Sequence, residues 1–132
     1  MAELELNPIG AIRSTLTDRK NAPRQADEGA PDAWLELDPK YKHGLLGMKA
    51  GDKVIVLTWL HQSRRETLQV HPRSIPNAPL TGVFATRSPD RPNPIGLHET
   101  TVLEITEKGI HLAAIECIDG TPVLDIKPVL CP

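Results

Sequence analysis

Arg87, Arg91 and Asn93 fall within a few residues of one another, in a stretch that also holds Pro89, Pro92 and Pro94. A guanidinium presents its N–H donors in a planar fork that matches a carboxylate or a phosphate, which makes the two arginines candidate anion ligands. Proline fixes φ and pushes the residue before it toward extended geometry. Arg91 and Asn93, each preceding a proline, therefore sit on a pre-ordered backbone. Pre-ordering lowers the entropy cost of binding. A stiff surface crossing would need only the prolines; the arginines and the asparagine give the same loop something to bind with. The surrounding charge agrees. Residues 61 to 94 hold Arg64, Arg65, Arg73, Arg87 and Arg91 against Glu66 and Asp90, in a chain of formal net charge −2. A cationic middle third in a mildly acidic protein suits a local anionic ligand better than a nucleic-acid grip over the whole surface. Arg64 and Arg65 would serve equally well as surface partners of Glu66, Asp90 or a more distant carboxylate.

The elements that must position this loop are strands. A chain of 132 residues suits one domain with a core of its own. No apolar run approaches the ~20 residues of a membrane helix, and the acidic start Met1-Ala2-Glu3-Leu4-Glu5 is unlike a signal peptide, so a soluble, cytoplasmic protein is expected. Cys117 and Cys131 form no Cys-x-x-Cys pair, and His61, His71, His98 and His111 lack ligand spacing; neither a disulfide framework nor a metal site is expected. His98 and His111 read as ordinary strand residues.

Short strands are expected over Ile9–Ser14 and Ala33–Leu37, joined by a long polar loop from Thr17 to Asp32. Pro39 to Met48 supplies a helical turn or two, and Gly51-Asp52 a turn. Lys53 to Leu60 is a near-continuous apolar run and should be the central strand, with His61 and Gln62 at its end. Leu68-Gln69-Val70 alternates as a short strand. Val83-Phe84-Ala85 reads as a short apolar strand running into the proline loop. Leu97–Thr106 and Ile110–Ile118 form a hairpin around Glu107-Lys108-Gly109, with glycine at the left-handed position. Strands in hairpins without an amphipathic helical pattern indicate an antiparallel barrel or sandwich, and no strand leads into a Gly-x-Gly-x-x-Gly fingerprint.

The stretch Gly82-Val-Phe-Ala-Thr-Arg-Ser-Pro-Asp-Arg-Pro-Asn-Pro-Ile-Gly-Leu97 resembles the signature of the TsaA-like family of TrmO-type methyltransferases. Further pieces follow in the family's order: Ile9-Gly10 with Ser14, Pro23-Arg24-Gln25, the strand ending at His61, Val70-His71-Pro72-Arg73, Asp119-Gly120-Thr121-Pro122 and Asp125-Ile126-Lys127-Pro128. The resemblance spans nearly the whole chain and implies a single domain over residues 1–132, mainly β, folded as an antiparallel β-barrel with long ordered loops and little helix. Departures from the family pattern include His98, where serine is common, and Val129 in place of an aromatic.

The resemblance implies an S-adenosylmethionine-dependent enzyme that methylates a nitrogen of threonylcarbamoyladenosine beside the tRNA anticodon. It also implies tRNA as partner and a homodimer. Methyl transfer by direct displacement asks chiefly for positioning. By resemblance, Pro23, Arg24 and Gln25 line the cofactor, Arg87 receives its carboxylate, His61 and Gln62 reach it from the strand end, and Leu97 offers an apolar or backbone contact. Ile118, Asp119, Gly120 and Thr121 contribute main-chain groups and a carboxylate, although Asp-Gly-Thr-Pro is also good tight-turn chemistry with no ligand at all. Arg91 and Asn93, farther out on the loop, are expected to meet the RNA. Asp125 is open to two readings, a catalytic carboxylate or an ion pair with Lys127, and no catalytic base is assigned. A methyltransferase of the same fold acting on a small molecule and a noncatalytic cofactor-binding module are the alternatives.

Overall fold

The computed structural model describes residues 3–18, 29–72 and 76–130. In chain order the elements are β1 (Gly10–Arg13), β2 (Ala33–Leu37), a 3-10 helix over Pro39–Leu45, β3 (Lys53–Trp59), β4 (Gln69–Val70), β5 (Thr81–Gly82), a 3-10 turn over Val83–Ala85, β6 (Ile95–Thr106), β7 (Gly109–Leu112) and β8 (Pro122–Pro128). The protein is mainly β, with one large antiparallel sheet and little helix. The sheet runs in the order β1-β2-β7-β6-β3-β8, and β1 pairs back onto β8, so the order closes on itself. β4 and β5 form a separate two-stranded ladder.

Alternation decides which face of each strand is inside. In β3 the side chains of Val54, Val56 and Thr58 are buried, while Ile55, Leu57 and Trp59 are half-buried on the other face. β3 is hydrogen-bonded to β6 on one side and β8 on the other, which is the central place its apolar run suggests. Its inward valines join Ile12, Leu35, Val102, Ile110, Leu112, Ile115 and Val123 in a single core, against which Leu45 and Met48 pack from the segment after β2. Each such side chain contributes roughly 1.5–3 kcal/mol on burial. Register shifts between Leu57 and Thr58 against β8, and between Val102 and Glu104 against β7, add the local twist that helps a small sheet curve.

The registers also sort the connections between the two ends of the sheet. Arg13 faces Trp34, Ala33 faces Leu112, Trp59 faces Ile95 and Thr58 faces Val123. One end, the loop end, therefore carries the connections 14–32, 60–94 and 113–121. The other, the tight end, has Glu107-Lys108 between β6 and β7, Asp38 capping the 3-10 helix by accepting from the Lys40 N–H at 3.1 Å, and Gly51 at φ +94 before β3.

Three expectations change. Val83-Phe84-Ala85 is a 3-10 turn, with the strand confined to Thr81–Gly82, because the Thr86 N–H and hydroxyl both close onto the Val83 carbonyl, at 3.1 and 3.0 Å. β7 stops at Leu112: the Ala113 N–H still reaches the Thr101 carbonyl, but the chain then bends and the Ile115 N–H bonds Pro31 instead. The hairpin connection is two residues long, and Gly109, at φ +130, is the first residue of β7. A Cβ at Gly109 would overlap the Leu35 carbonyl, so the neighbouring strand as well as the turn requires glycine there.

Candidate functional site

Arg87 stands exposed at the loop end, after the 3-10 turn. Its Nη2 donates to the Leu97 carbonyl at 3.3 Å, which ties the start of the proline loop to the first turn of β6. Phe84, Ile95 and Leu97 expose apolar side chains on the same segments. A guanidinium beside exposed apolar surface can receive a ligand carboxylate while the rest of the ligand covers hydrocarbon.

Arg91 is placed differently from the outward position expected of an RNA contact. It is half-buried, and its Nη2 donates to the Val83 carbonyl and, at 2.6 Å, to the Thr86 carbonyl. Its own N–H bonds the Arg64 carbonyl at 3.0 Å, and its Nε is buried with no hydrogen-bond partner among the described residues. The guanidinium thus holds the 3-10 turn curled. Asn93 is exposed, but its Oδ1 accepts from Arg65 Nη2 at 3.3 Å. Arg65 also donates from Nε to the Pro92 carbonyl at 2.8 Å and lies 5.0 Å over the Trp59 ring. The Asp90 carboxylate takes the Arg64 N–H at 2.9 Å. Arg64 and Arg65 join the 60–65 segment to the proline loop, Arg64 through its backbone groups and Arg65 through the Pro92 carbonyl, Asn93 and the Trp59 face. His61 and Gln62 are exposed in the turn that follows β3, next to this seam.

Ile118, Asp119, Gly120 and Thr121 form the turn before β8. Asp119 Oδ1 accepts the Ser14 N–H at 3.0 Å, the Asp119 N–H reaches the Leu16 carbonyl at 2.6 Å, and Gly120, at φ +84, donates to the Ile12 carbonyl at 2.7 Å. The Thr121 hydroxyl is buried against the Ile118 carbonyl, 2.7 Å away. These bonds fasten the turn to the start of the β1–β2 connection. Pro23, Arg24 and Gln25, which belong to that connection, lie outside the described residues, as does Arg73. The described candidates, His61, Gln62, Arg87, Leu97 and the 118–121 turn, are thus all carried at the loop end. Asp125 stands level with Leu97, each opposite Leu57 on either side of β3, but its Oδ2 pairs with Lys127 Nζ at 3.2 Å and its Oδ1 accepts the Ile126 N–H, the ion-pair arrangement of the two open readings.

One polar chain at this end has no counterpart in the sequence reading. The Thr58 hydroxyl lies 2.7 Å from His98 Nε2, and His98 Nδ1 lies 2.5 Å from Glu116 Oε1. Thr58 is fully buried and His98 nearly so, at 6% exposure. An ionised carboxylate can only accept, so His98 Nδ1 carries the proton toward Glu116 and Nε2 faces the threonine. Gly96 makes the arrangement possible, since a Cβ there would overlap both Thr58 Oγ1 and the imidazole. The available signal was positional: His98 falls on the inward alternation of β6, two residues after the glycine paired with Thr58. Next to Glu116, burial pushes the Cys117 thiol well above its ordinary value, with the Glu116 charge adding to the effect, so Cys117 is a neutral core residue. His111, by contrast, stacks on Trp34 with ring centroids 4.7 Å apart and has Glu104 at 3.5 Å.

The sequence pattern described as the tRNA-methyltransferase O N-terminal domain matches residues 11–131. The chain belongs to this family. Relatives of this domain include a probable S-adenosyl-L-methionine-binding protein of Methanothermobacter thermautotrophicus, 36% identical over 126 residues that cover 96% of this chain and 90% of the relative. Another, from Methanocaldococcus jannaschii and named in the same way, is 44% identical over 97 residues, or 70% of this chain and 77% of the relative. The crystal structure of TrmO from Pseudomonas aeruginosa superposes on this TrmO-type domain with a TM-score of 0.75 at 34% identity, covering 98% of this chain and 57% of that one. The chain therefore spans a little over half the length of that solved TrmO chain.

Proposed function

We propose that this TrmO-family domain is an S-adenosylmethionine-dependent methyltransferase whose cofactor binds at the loop end of the closed sheet, the barrel that the family resemblance implies. The observation that carries the reading is Arg87: an exposed guanidinium, tied to the Leu97 carbonyl, on segments that also expose apolar Phe84 and Leu97. That donor set fits an amino-acid carboxylate joined to an apolar thioether and an aromatic base. When bound, S-adenosylmethionine supplies a methyl group on a positively charged sulfur, open to direct displacement by a nitrogen. Arg87 holds the carboxylate, and Leu97 and Phe84 cover hydrocarbon. His61 and Gln62 reach in from the end of β3, and the Ile118–Thr121 turn supplies backbone groups. Pro23, Arg24 and Gln25 are assigned to the cofactor by the family resemblance alone. The protein's part is alignment of nucleophile, methyl carbon and sulfur, which is where most of the acceleration of such a displacement arises.

The finer reading is that the acceptor is threonylcarbamoyladenosine in tRNA and that the working form is a homodimer. Arg91 and Asn93, expected to touch RNA, act in this reading by fixing the shape of the loop that does. Incubation with methyl-labelled S-adenosylmethionine and tRNA lacking the methyl group tests the proposal. Label in tRNA supports it; label only in a small metabolite indicates a small-molecule methyltransferase; tight binding without transfer indicates a binding module, the property named for the archaeal relatives.

A further inference from the structure

Thr58, His98 and Glu116 succeed one another as a hydroxyl, an imidazole and a carboxylate, the order of a nucleophile, its base and the group that orients the base. Burial excludes that use, because the Thr58 hydroxyl is fully enclosed and no substrate atom can approach it. The members are better understood from what each is attached to. Thr58 lies on β3, one residue before the Trp59 that carries Arg65. His98 follows Leu97, whose carbonyl holds Arg87. Glu116 lies in the 113–118 segment, two residues before the Ile118–Thr121 turn.

That last segment packs Ile115 and Cys117 into the core but has no strand ladder of its own. Its backbone is fastened by the Ala113 N–H to Thr101, the Ile115 N–H to Pro31 and, just past it, the Asp119 N–H to Leu16. The Thr100 hydroxyl of β6 donates to the Ala113 carbonyl at 2.9 Å at the start of the segment; farther along, the Glu116 carboxylate on His98 is a second side-chain tie to β6, and the Thr58 hydroxyl carries that tie on to β3. A buried, charge-assisted pair extended by a hydroxyl holds its groups in one arrangement because breaking it would strand a buried polar atom.

We propose that His98 is a positioning residue for the cofactor site: held between Thr58 and Glu116, it fixes the 113–118 segment against β3 and β6 and so sets where the Ile118–Thr121 turn and the Leu97 carbonyl stand relative to Arg87. This rests on the cofactor reading given above. It assigns the imidazole no proton transfer to substrate and no contact with the cofactor.

Two readouts test it: amide hydrogen exchange of the cofactor-free protein, and calorimetric titration of S-adenosylmethionine well below the melting temperature. In His98→Ala, exchange at Ile115 to Thr121 should rise about tenfold or more, the scale of one lost hydrogen bond to a charged group, while Val54, Ile55 and Ile110 keep their protection. The dissociation constant for S-adenosylmethionine should rise by a similar factor. In His98→Asn the side-chain amide can stand near the Nδ1 position and still reach Glu116, so protection of 115–121 and most of the affinity should return. Thr58→Val and Glu116→Met, which roughly keep side-chain volume and remove the polar contact, provide the same readouts should His98→Ala fail to fold. A rise in exchange spread evenly over both ends of the sheet, with unchanged affinity and no recovery in His98→Asn, would overturn the proposal. Failure of the unaltered protein to bind S-adenosylmethionine would remove the cofactor reading, and the exchange pattern would still decide whether His98 positions the turn.

Discussion

The two ends of the closed sheet are held by different kinds of bond. At the tight end the geometry is set by backbone against backbone: Gly10 lies where a Cβ would overlap the Glu36 carbonyl, Gly109 does the same against Leu35, and Leu45 and Met48 seal the core. At the loop end backbone bonds such as Arg91 N–H to Arg64 and Gly120 N–H to Ile12 are joined by side-chain braces on the backbone, with Arg91 on Val83 and Thr86, Arg65 on Pro92, Asp90 on Arg64 and Asp119 on Ser14. Side chains that brace loops leave donors and apolar surface at the mouth, which glycines packed on carbonyls cannot. The contrast teaches where specificity can vary without loss of the fold, as is general for loops carried on a rigid scaffold.

Substitutions that separate stability from binding would sharpen the comparison. The largest effect on stability is expected from Gly109→Ala, which forces a side chain onto the Leu35 carbonyl at φ +130; denaturant melting should show a loss of about 3 kcal/mol, with cofactor affinity of the folded protein unchanged. Next comes Arg91→Ala, which releases the Val83 and Thr86 carbonyls. It should lower stability by about 2 kcal/mol, speed proteolysis between residues 83 and 91 and weaken cofactor binding through the loosened loop. Unchanged stability with a shallower salt dependence of tRNA binding would instead return Arg91 to a phosphate contact. The smallest change in stability belongs to Arg87→Ala, within about 0.5 kcal/mol, yet this variant should lose roughly 1.5–3 kcal/mol of S-adenosylmethionine binding by calorimetry. Equal stability losses at both ends, or a loss of affinity in Gly109→Ala, would break the distinction.

The tight end was the more legible half. The near-continuous apolar run of β3 and the turn at Gly51 follow from local chemistry, and they stand where local rules put them, although the β6–β7 connection is one residue shorter than expected. At the loop end the bonds run between residues distant in sequence. Val83-Phe84-Ala85 has strand composition but curls because Arg91, eight residues after Val83, draws its carbonyls together. Ile110–Ile118 reads as one strand and breaks at Leu112, since Pro31 offers Ile115 a partner that β6 does not. His98 reads as an ordinary strand histidine until Thr58 and Glu116, 40 residues before it and 18 after, meet its two ring nitrogens. The signature loop was recognisable by its residues; which of its arginines faces outward was a matter of packing.

The central claim, that the loop end is the cofactor site, is tested most directly by mapping backbone amide chemical shifts during a titration with S-adenosylmethionine. Shifts confined to Ser14, Arg24, Gln25, His61, Gln62, Arg87, Leu97 and the Ile118–Thr121 turn, with Leu37, Gly51, Glu107 and Gly109 unmoved, are the predicted result. Shifts concentrated at the tight end, or a saturating titration that leaves Arg87 and Leu97 unmoved, would contradict it.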